Sequence, residues 1–186
     1  MILHRPVSIA ILAFLVLLVL VAFSYSRVQV SVSSVESVRP AFKTDTSSLI
    51  SGALGALKGD PGEALTSVIN GLDVKAELQI ENGGILPVYF PELRHVVFVG
   101  DPHEVPSDRV QKNPGLWLMP QQQKTVAVTA LVPLEEIPEL ALSPIINGGD
   151  IELAIESELE VVGFATSHTT RTSVSVTETV REWLDR

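Results

Sequence analysis

The sequence contains no cysteine and few aromatic residues, and residues 6–25 contain no charged side chain. Without cysteine there is no disulfide to support an exported domain and no thiolate to act as a nucleophile or metal ligand. Acidic residues outnumber basic ones, 22 to 13, which gives a formal net charge of −9. Because such a surface repels phosphate groups, we expect no nucleic-acid partner.

The uncharged segment, residues 6–25, is almost entirely leucine, valine, isoleucine, alanine and phenylalanine. A helix of about 20 residues, rising about 1.5 Å per residue, matches a hydrocarbon core of about 30 Å. We therefore predict an N-terminal membrane anchor, residues 1–27, that contacts the membrane through residues 6–25. The alternative is a cleaved secretory signal, with Ala22, Ser24 and Ser26 as the small residues of a cleavage site. The apolar part of such a signal is usually shorter, about 7 to 15 residues.

The charges that flank the anchor predict its orientation. His4, Arg5 and the terminal amine precede it, whereas only Arg27 follows closely. Cytoplasmic flanks carry the excess of basic residues, so we expect a single-pass protein of the cell membrane with a cytoplasmic N-terminus. Residues 28–186 would then form one extracytoplasmic domain, a length suited to a single core.

Beyond the anchor, apolar and polar residues alternate with a period of two, which is typical of half-buried strands. Between Leu86 and Val99, Pro91 indicates either a strand pair or one broken strand. Strands at fairly even intervals, with Gly, Pro and Asn between them, predict an antiparallel β-sandwich. The other predicted strands are Val28–Val38, Val74–Asn82, Thr125–Val132, Asp150–Val162 and Thr166–Val180.

Two segments follow a helical spacing instead. Residues 46–71 predict two short helices on either side of the breaker Gly59–Gly62, inserted between the first two strands. Residues 134–146 predict a helical turn or two, interrupted by Pro138 and Pro144. The predicted fold is therefore mainly β, with a short helical insertion and one preceding transmembrane helix.

The order of these features resembles the type 2 late embryogenesis abundant proteins, the WHy domain family. An anchor leads into a strand, a second strand ends in Asn82, and an Ile-Leu-Pro-Val segment follows at Ile85–Val88. The resemblance covers roughly residues 28–180, with Asn82-Gly83 where the family pattern has Asn-Pro. It implies an immunoglobulin- or fibronectin-III-like sandwich and a part in water-stress and desiccation responses, and it implies no catalytic residue.

Several groups of residues are candidates for chemical sites, and for each of them a structural interpretation is favoured. Asp101, His103, Glu104 and Asp108 combine imidazole with carboxylates, but a charged, Pro-fixed loop is the better interpretation. His95 and His168 lie in predicted strands, and no serine has the setting of a nucleophile elbow. The glutamates of residues 150–162 are expected to face water. The glycines of residues 52–59 lack the ending of a phosphate loop, and Trp117 is expected in the core.

The sequence therefore predicts no catalytic, cofactor-binding or metal-binding residue and no cofactor. The first hypothesis is a non-enzymatic, membrane-anchored domain of the stress-protective type, which acts by surface contact with proteins or envelope components. The alternative is a pilin-like or cell-envelope structural subunit, because an apolar N-terminal helix that runs into a β domain is also that architecture. The oligomeric state is open.

Overall fold

In the computed structural model, one N-terminal helix leads directly into two antiparallel sheets. The structure describes residues 4–43, 47, 50–51, 67–101, 109–137, 149–161 and 164–175. The helix α1 spans His4–Ser26, and only Arg27 separates it from the first strand. The strands are β1 Val28–Phe42, β2 Ile69–Asn82, β3 Val88–Val99, β4 Gln111–Leu118, β5 Gln123–Pro133, β6 Asp150–Val161 and β7 Phe164–Ser175, and a 3-10 turn at Leu134–Glu136 follows β5.

The helix α1 is long and apolar enough to cross a membrane, over residues Val7–Ser26. Every side chain from Val7 to Val19 is exposed, whatever its position around the helix. A helix that is apolar on all sides needs an apolar environment around it. The helix is therefore either a membrane span or a signal sequence, because both can meet this test of length and composition.

The strands form a three-stranded sheet in the order β1-β2-β5 and a four-stranded sheet in the order β4-β3-β6-β7. All neighbouring strands pair antiparallel. The predicted fold class, a mainly β antiparallel sandwich preceded by one apolar helix, is confirmed. In β2, the central strand of the smaller sheet, Val74, Leu78 and Ile80 are fully buried, and burial of each stabilises the fold by about 1.5–3 kcal/mol.

The core consists of two apolar clusters rather than one. The larger includes Val97 and Ile155, and the smaller, at the helix end of the sandwich, includes Leu93 and Leu159. A polar row lies between these pairs, because His95 of β3 is opposite Ser157 of β6, which is opposite His168 of β7. The row runs across three strands and separates the two clusters within the larger sheet.

Within this row, the buried His95 and Ser157 bond to each other. The distance from His95 Nδ1 to Ser157 Oγ is 2.9 Å. In the described part of the chain, the Nε2 atoms of His95 and His168 are buried and have no hydrogen-bond partner. Burial lowers the pKa of His95 to about 4 and also lowers the pKa of His168, since a buried imidazole is costly to charge.

Polar side chains also form hydrogen bonds between the two sheets, along both sides of the sandwich. On one side, Gln111 of β4 accepts a hydrogen bond from Thr129 N at 2.8 Å, and Asn113 donates to Ala127 O at 3.3 Å, both on the free edge of β5. On the other, Thr170 Oγ1 of β7 donates to Val30 O of β1 at 3.2 Å. These contacts pair backbone groups that an edge strand otherwise leaves open.

Two predicted features were wrong. The sequence analysis predicts no strand over residues 111–118, but β4 forms there as an edge strand, where Pro114 is tolerated. Trp117 was expected in the core and is 54% exposed. It alternates with the inward-facing Leu116 and Leu118, so the strand turns its side chain outward.

Several boundaries also differ from the predicted ones. β1 continues through Pro40 to Phe42, and β3 is one strand through Pro91, where it pairs with β4 but has not yet met β6. The insertion predicted at 46–71 lies mostly outside the described residues. Its last three residues, 69–71, belong to β2 rather than to a helix. The residues of the predicted last strand beyond Ser175, and most of 134–146, also lie outside the described ranges.

The buried imidazole of His95 predicts acid sensitivity. Its folded-state pKa, about 4, lies below the ordinary value of 6.5, so the unfolded chain binds the proton more readily. The stabilisation is complete above about pH 6.5 and is lost as the pH falls toward 4; at pH 5 the loss is about 2 kcal/mol. Urea unfolding of the full chain in detergent at pH 7 and pH 5 measures it.

The variant His95→Gln should reduce this difference between pH 7 and pH 5, leaving the smaller contribution of His168. His4→Gln, at the start of α1 and outside the sandwich, is the matched control and should not change it. An equal pH dependence in the wild-type chain and in His95→Gln would contradict the assignment.

Candidate functional site

The last turn of α1 is packed into the end of the sandwich. Ser24 is completely buried, and its hydroxyl oxygen accepts a hydrogen bond from Leu86 N at 3.0 Å. The Tyr25 hydroxyl donates to Tyr89 O at 3.1 Å and accepts from Tyr89 N at 3.2 Å. Its ring meets the buried Phe90 edge to face, with centroids 5.6 Å apart. Helix and sandwich are thus joined by side chains as well as by the chain itself.

Gly84 permits this close contact between the helix and the loop that joins β2 to β3. A Cβ atom at Gly84 would lie 2.6 Å from Ser24 Cα and 2.9 Å from Asn82 Oδ1. Both distances are too short for non-bonded atoms, so only glycine fits between the helix end and Asn82. Gly83 N also donates to Arg27 O at 3.2 Å, which holds the loop against the start of β1.

Asn82, the last residue of β2, organises the two loops at this end. Its buried Nδ2 lies within hydrogen-bond distance of Leu86 O at 2.9 Å and of Leu118 O and Met119 O at 3.2 Å. Its Oδ1 accepts from Gly84 N at 2.9 Å. One amide side chain therefore ties the β2–β3 loop, which receives the helix, to the end of β4. We call Ser24, Tyr25, Asn82 and Gly84 the junction.

The acidic loop weighed as a metal site lies mostly outside the described residues, which include Asp101 but not His103, Glu104 or Asp108. Asp101 is paired with Arg171 of β7 at 2.9 Å. Among the described residues, no group of three or more His, Asp or Glu side chains is placed to hold a metal ion. The glycines of residues 52–59 also lie outside the described ranges.

The other candidate groups take part in structural contacts. His95 and Ser157 are brought together, but inside the core, where no solute reaches them. On the outer face of the larger sheet, Arg94 contacts Glu92 at 2.6 Å and also reaches two glutamates of β6, Glu158 and Glu160, at 3.6 and 3.1 Å. The hydrogen bond from Arg94 lowers the pKa of Glu92, and the same contact raises the pKa of Arg94. The outward glutamates are thus balanced by a cation between the strands.

The junction was not recognised as a site from the sequence. Ser24 was considered as a cleavage position, Tyr25 as the end of the apolar run, and Asn82 as a turn residue. A usable signal was present, since two hydrogen-bonding residues end an apolar helix immediately before a strand. Their partners, however, lie about 60 residues away and depend on how the strands pair.

Comparisons with known proteins show only remote likeness. No model of a protein family matches the chain, and no curated protein matches it. A crystal structure of a protein from Archaeoglobus fulgidus aligns over 76% of this chain and 95% of its own, with 11% identity and a TM-score of 0.37. A solution structure provisionally assigned to the late embryogenesis abundant proteins aligns over 90% of this chain and 87% of its own, with 10% identity and a TM-score of 0.40.

A sporulation control protein from Bacillus subtilis aligns over 57% of this chain and 42% of its own, with 13% identity and a TM-score of 0.30. All three TM-scores are below 0.5. The fold of this chain is therefore defined by its own strand order and register.

The contacts of Asn82 predict a large effect of its removal. Asn82→Ala should lower the free energy of unfolding by at least about 2 kcal/mol, because the hydrogen bonds to Leu86 O and from Gly84 N are lost in a buried site. Urea unfolding of the full chain in detergent measures the change. The matched control is Asn70→Ala in the same strand, where Asn70 is exposed and the change should stay within about 0.5 kcal/mol. Equal effects of the two variants would contradict the role of Asn82.

Proposed function

We propose that this protein is a single-pass membrane protein whose N-terminal helix is retained and holds the sandwich against the outer face of the cell membrane. The junction is the observation that supports this. Cleavage of a signal after Ser24 or Ser26 would remove Ser24, and cleavage after Ser26 would also remove Tyr25. The N–H groups of Leu86 and Tyr89 would then lose the oxygens that accept their hydrogen bonds.

The orientation in this proposal rests on the flanking charges. His4 and Arg5 precede the helix and Arg27 follows it. Arg27 lies over the ring of Phe23, with its guanidinium carbon 5.0 Å from the ring centroid. An arginine stacked on an aromatic ring at the end of an apolar helix suits the headgroup region, where the cation remains hydrated. The N-terminus would thus be cytoplasmic and the sandwich extracytoplasmic.

The domain would act by surface contact rather than by catalysis, in the manner of the stress-protective proteins that the sequence resembles. The net charge of −9 opposes self-association at the high concentrations that drying produces. On β7, exposed hydroxyl groups of Thr169 and Ser173 supply further hydrogen-bonding groups. A charged, hydroxyl-bearing surface held at the membrane could replace lost water around neighbouring proteins and headgroups.

Retention and orientation of the helix can be tested on the full chain in intact cells. The chain has no cysteine, so one introduced thiol is a unique label. We expect Thr169→Cys, on exposed β7, to react with a membrane-impermeant maleimide on intact cells, and His4→Cys to react only after lysis. The intact mass should be that of the full chain. A mass shortened at the N-terminus, or labelling of His4→Cys on intact cells, would contradict the proposal.

The protective role needs a separate assay. The full chain in lipid nanodiscs should preserve the activity of a labile enzyme through a cycle of drying and rehydration, at modest molar ratios. Empty nanodiscs and an inert globular protein of equal mass are the controls. If the chain protects no better than these controls, the stress-protective function is rejected, although the anchored architecture could still hold.

A further inference from the structure

The sandwich exposes a group of large apolar side chains at its helix end. Four residues belong to it, and we call them the collar: Ile85 in the β2–β3 loop, Tyr89 on β3, Trp117 on β4 and Met119 after β4. Their exposed fractions are 57%, 38%, 54% and 56%. Tyr89 and Trp117 are cross-strand neighbours whose rings stack with centroids 4.8 Å apart. A cluster of exposed apolar residues of this kind marks an interaction surface.

The junction fixes the position of the collar relative to α1. Tyr25 lies in the last turn of the helix, and its hydroxyl bonds to both backbone groups of Tyr89. Ser24 bonds to Leu86, next to Ile85, and Asn82 bonds to the carbonyl of Met119. The collar is therefore level with the end of the apolar helix. If the helix spans a bilayer, this level is the boundary between hydrocarbon and headgroups.

The larger sheet changes from apolar to charged with distance from the helix. The ion-paired group of Glu92, Arg94, Lys112, Glu158 and Glu160 follows the collar along β3, β4 and β6. Arg94 lies five positions beyond Tyr89, about 16 Å along the strand. Tyrosine and tryptophan favour the interfacial region of membranes, where an apolar ring and a polar atom are both accommodated. The collar lies nearest the helix and the ion-paired group lies beyond it, and this order matches the change from membrane interface to water.

We infer that the collar is a lipid-docking surface that inserts into the headgroup and acyl boundary of the bilayer that α1 crosses. This inference rests on the proposed membrane-spanning role of α1. The ligand is the interface of zwitterionic phospholipids, since the acidic chain gains nothing from anionic headgroups. Docking would hold the sandwich at a fixed tilt to the membrane, with the ion-paired group in water.

The test uses tryptophan fluorescence of the full chain in phosphatidylcholine nanodiscs, with bromine quenchers placed shallow or deep on the lipid acyl chains. Trp183→Phe leaves Trp117 as the reporter. Two matched chains lack both native tryptophans, by Trp117→Phe and Trp183→Phe. One adds Ser173→Trp. Position 173 is paired with Glu152 of β6, which lies about 26 Å along that strand from Glu160 of the ion-paired group. The other adds Phe14→Trp, in the middle of α1.

We expect shallow bromines to quench Trp117 severalfold more than the tryptophan at position 173, and deep bromines to quench the tryptophan at position 14. Equal quenching at 117 and 173, with position 14 quenched, would overturn the collar and leave the anchor standing. If Trp117 in that case is also shielded from aqueous acrylamide, a second copy of the chain covers it. Absence of quenching at position 14 would reject the spanning helix and, with it, this inference, whether or not Trp117 is quenched.

Discussion

The hydrogen bonds that Ser24 and Tyr25 make with the loop after β2 are the contacts on which the behaviour of the whole protein depends. The helix passes to β1 through a single residue, Arg27. Without side-chain contacts, the helix would be free to change its angle at Arg27. With these contacts, the last helical turn becomes part of the folded domain. Gly84 and Asn82 make the contact sterically and chemically feasible. Whatever position the helix takes, the sandwich shares it, so the helix sets the position of the whole domain.

The core shows a second constraint. The row of His95, Ser157 and His168 interrupts what would otherwise be one apolar layer, and its imidazoles must stay neutral to remain buried. Replacing both partners of a buried hydrogen bond by apolar groups of the same shape can be nearly neutral or stabilising. The benefit of the row here would be strand register, because a shift of one residue between β3 and β6 would bury charged neighbours such as Arg94. The polar row would thus favour one alignment of the larger sheet at the expense of acid stability.

Local pattern was enough to predict most strands and the apolar helix. A strand that buries one face alternates apolar and polar residues, and a helix that is apolar on all sides has a continuous apolar run. Local pattern failed where pairing overrides local preference. β4 contains Pro114 and Gly115 and is a strand only because the edge of β3 is available to it. The junction could not be predicted either, since Asn82 reads as a turn residue until the end of β4 is known to lie beside it. Trp117 was misplaced for the same reason.

The central claim, that the end of the helix is a folded part of the sandwich, is tested most directly by amide hydrogen exchange of the full chain in lipid nanodiscs. The amides of Leu86 and Tyr89 donate to Ser24 and Tyr25, and the combined change Ser24→Ala and Tyr25→Phe removes both acceptors. The account predicts that protection of these two amides falls severalfold, while that of Val97, in the centre of β3, is retained. Unchanged protection of Leu86 and Tyr89 would contradict it.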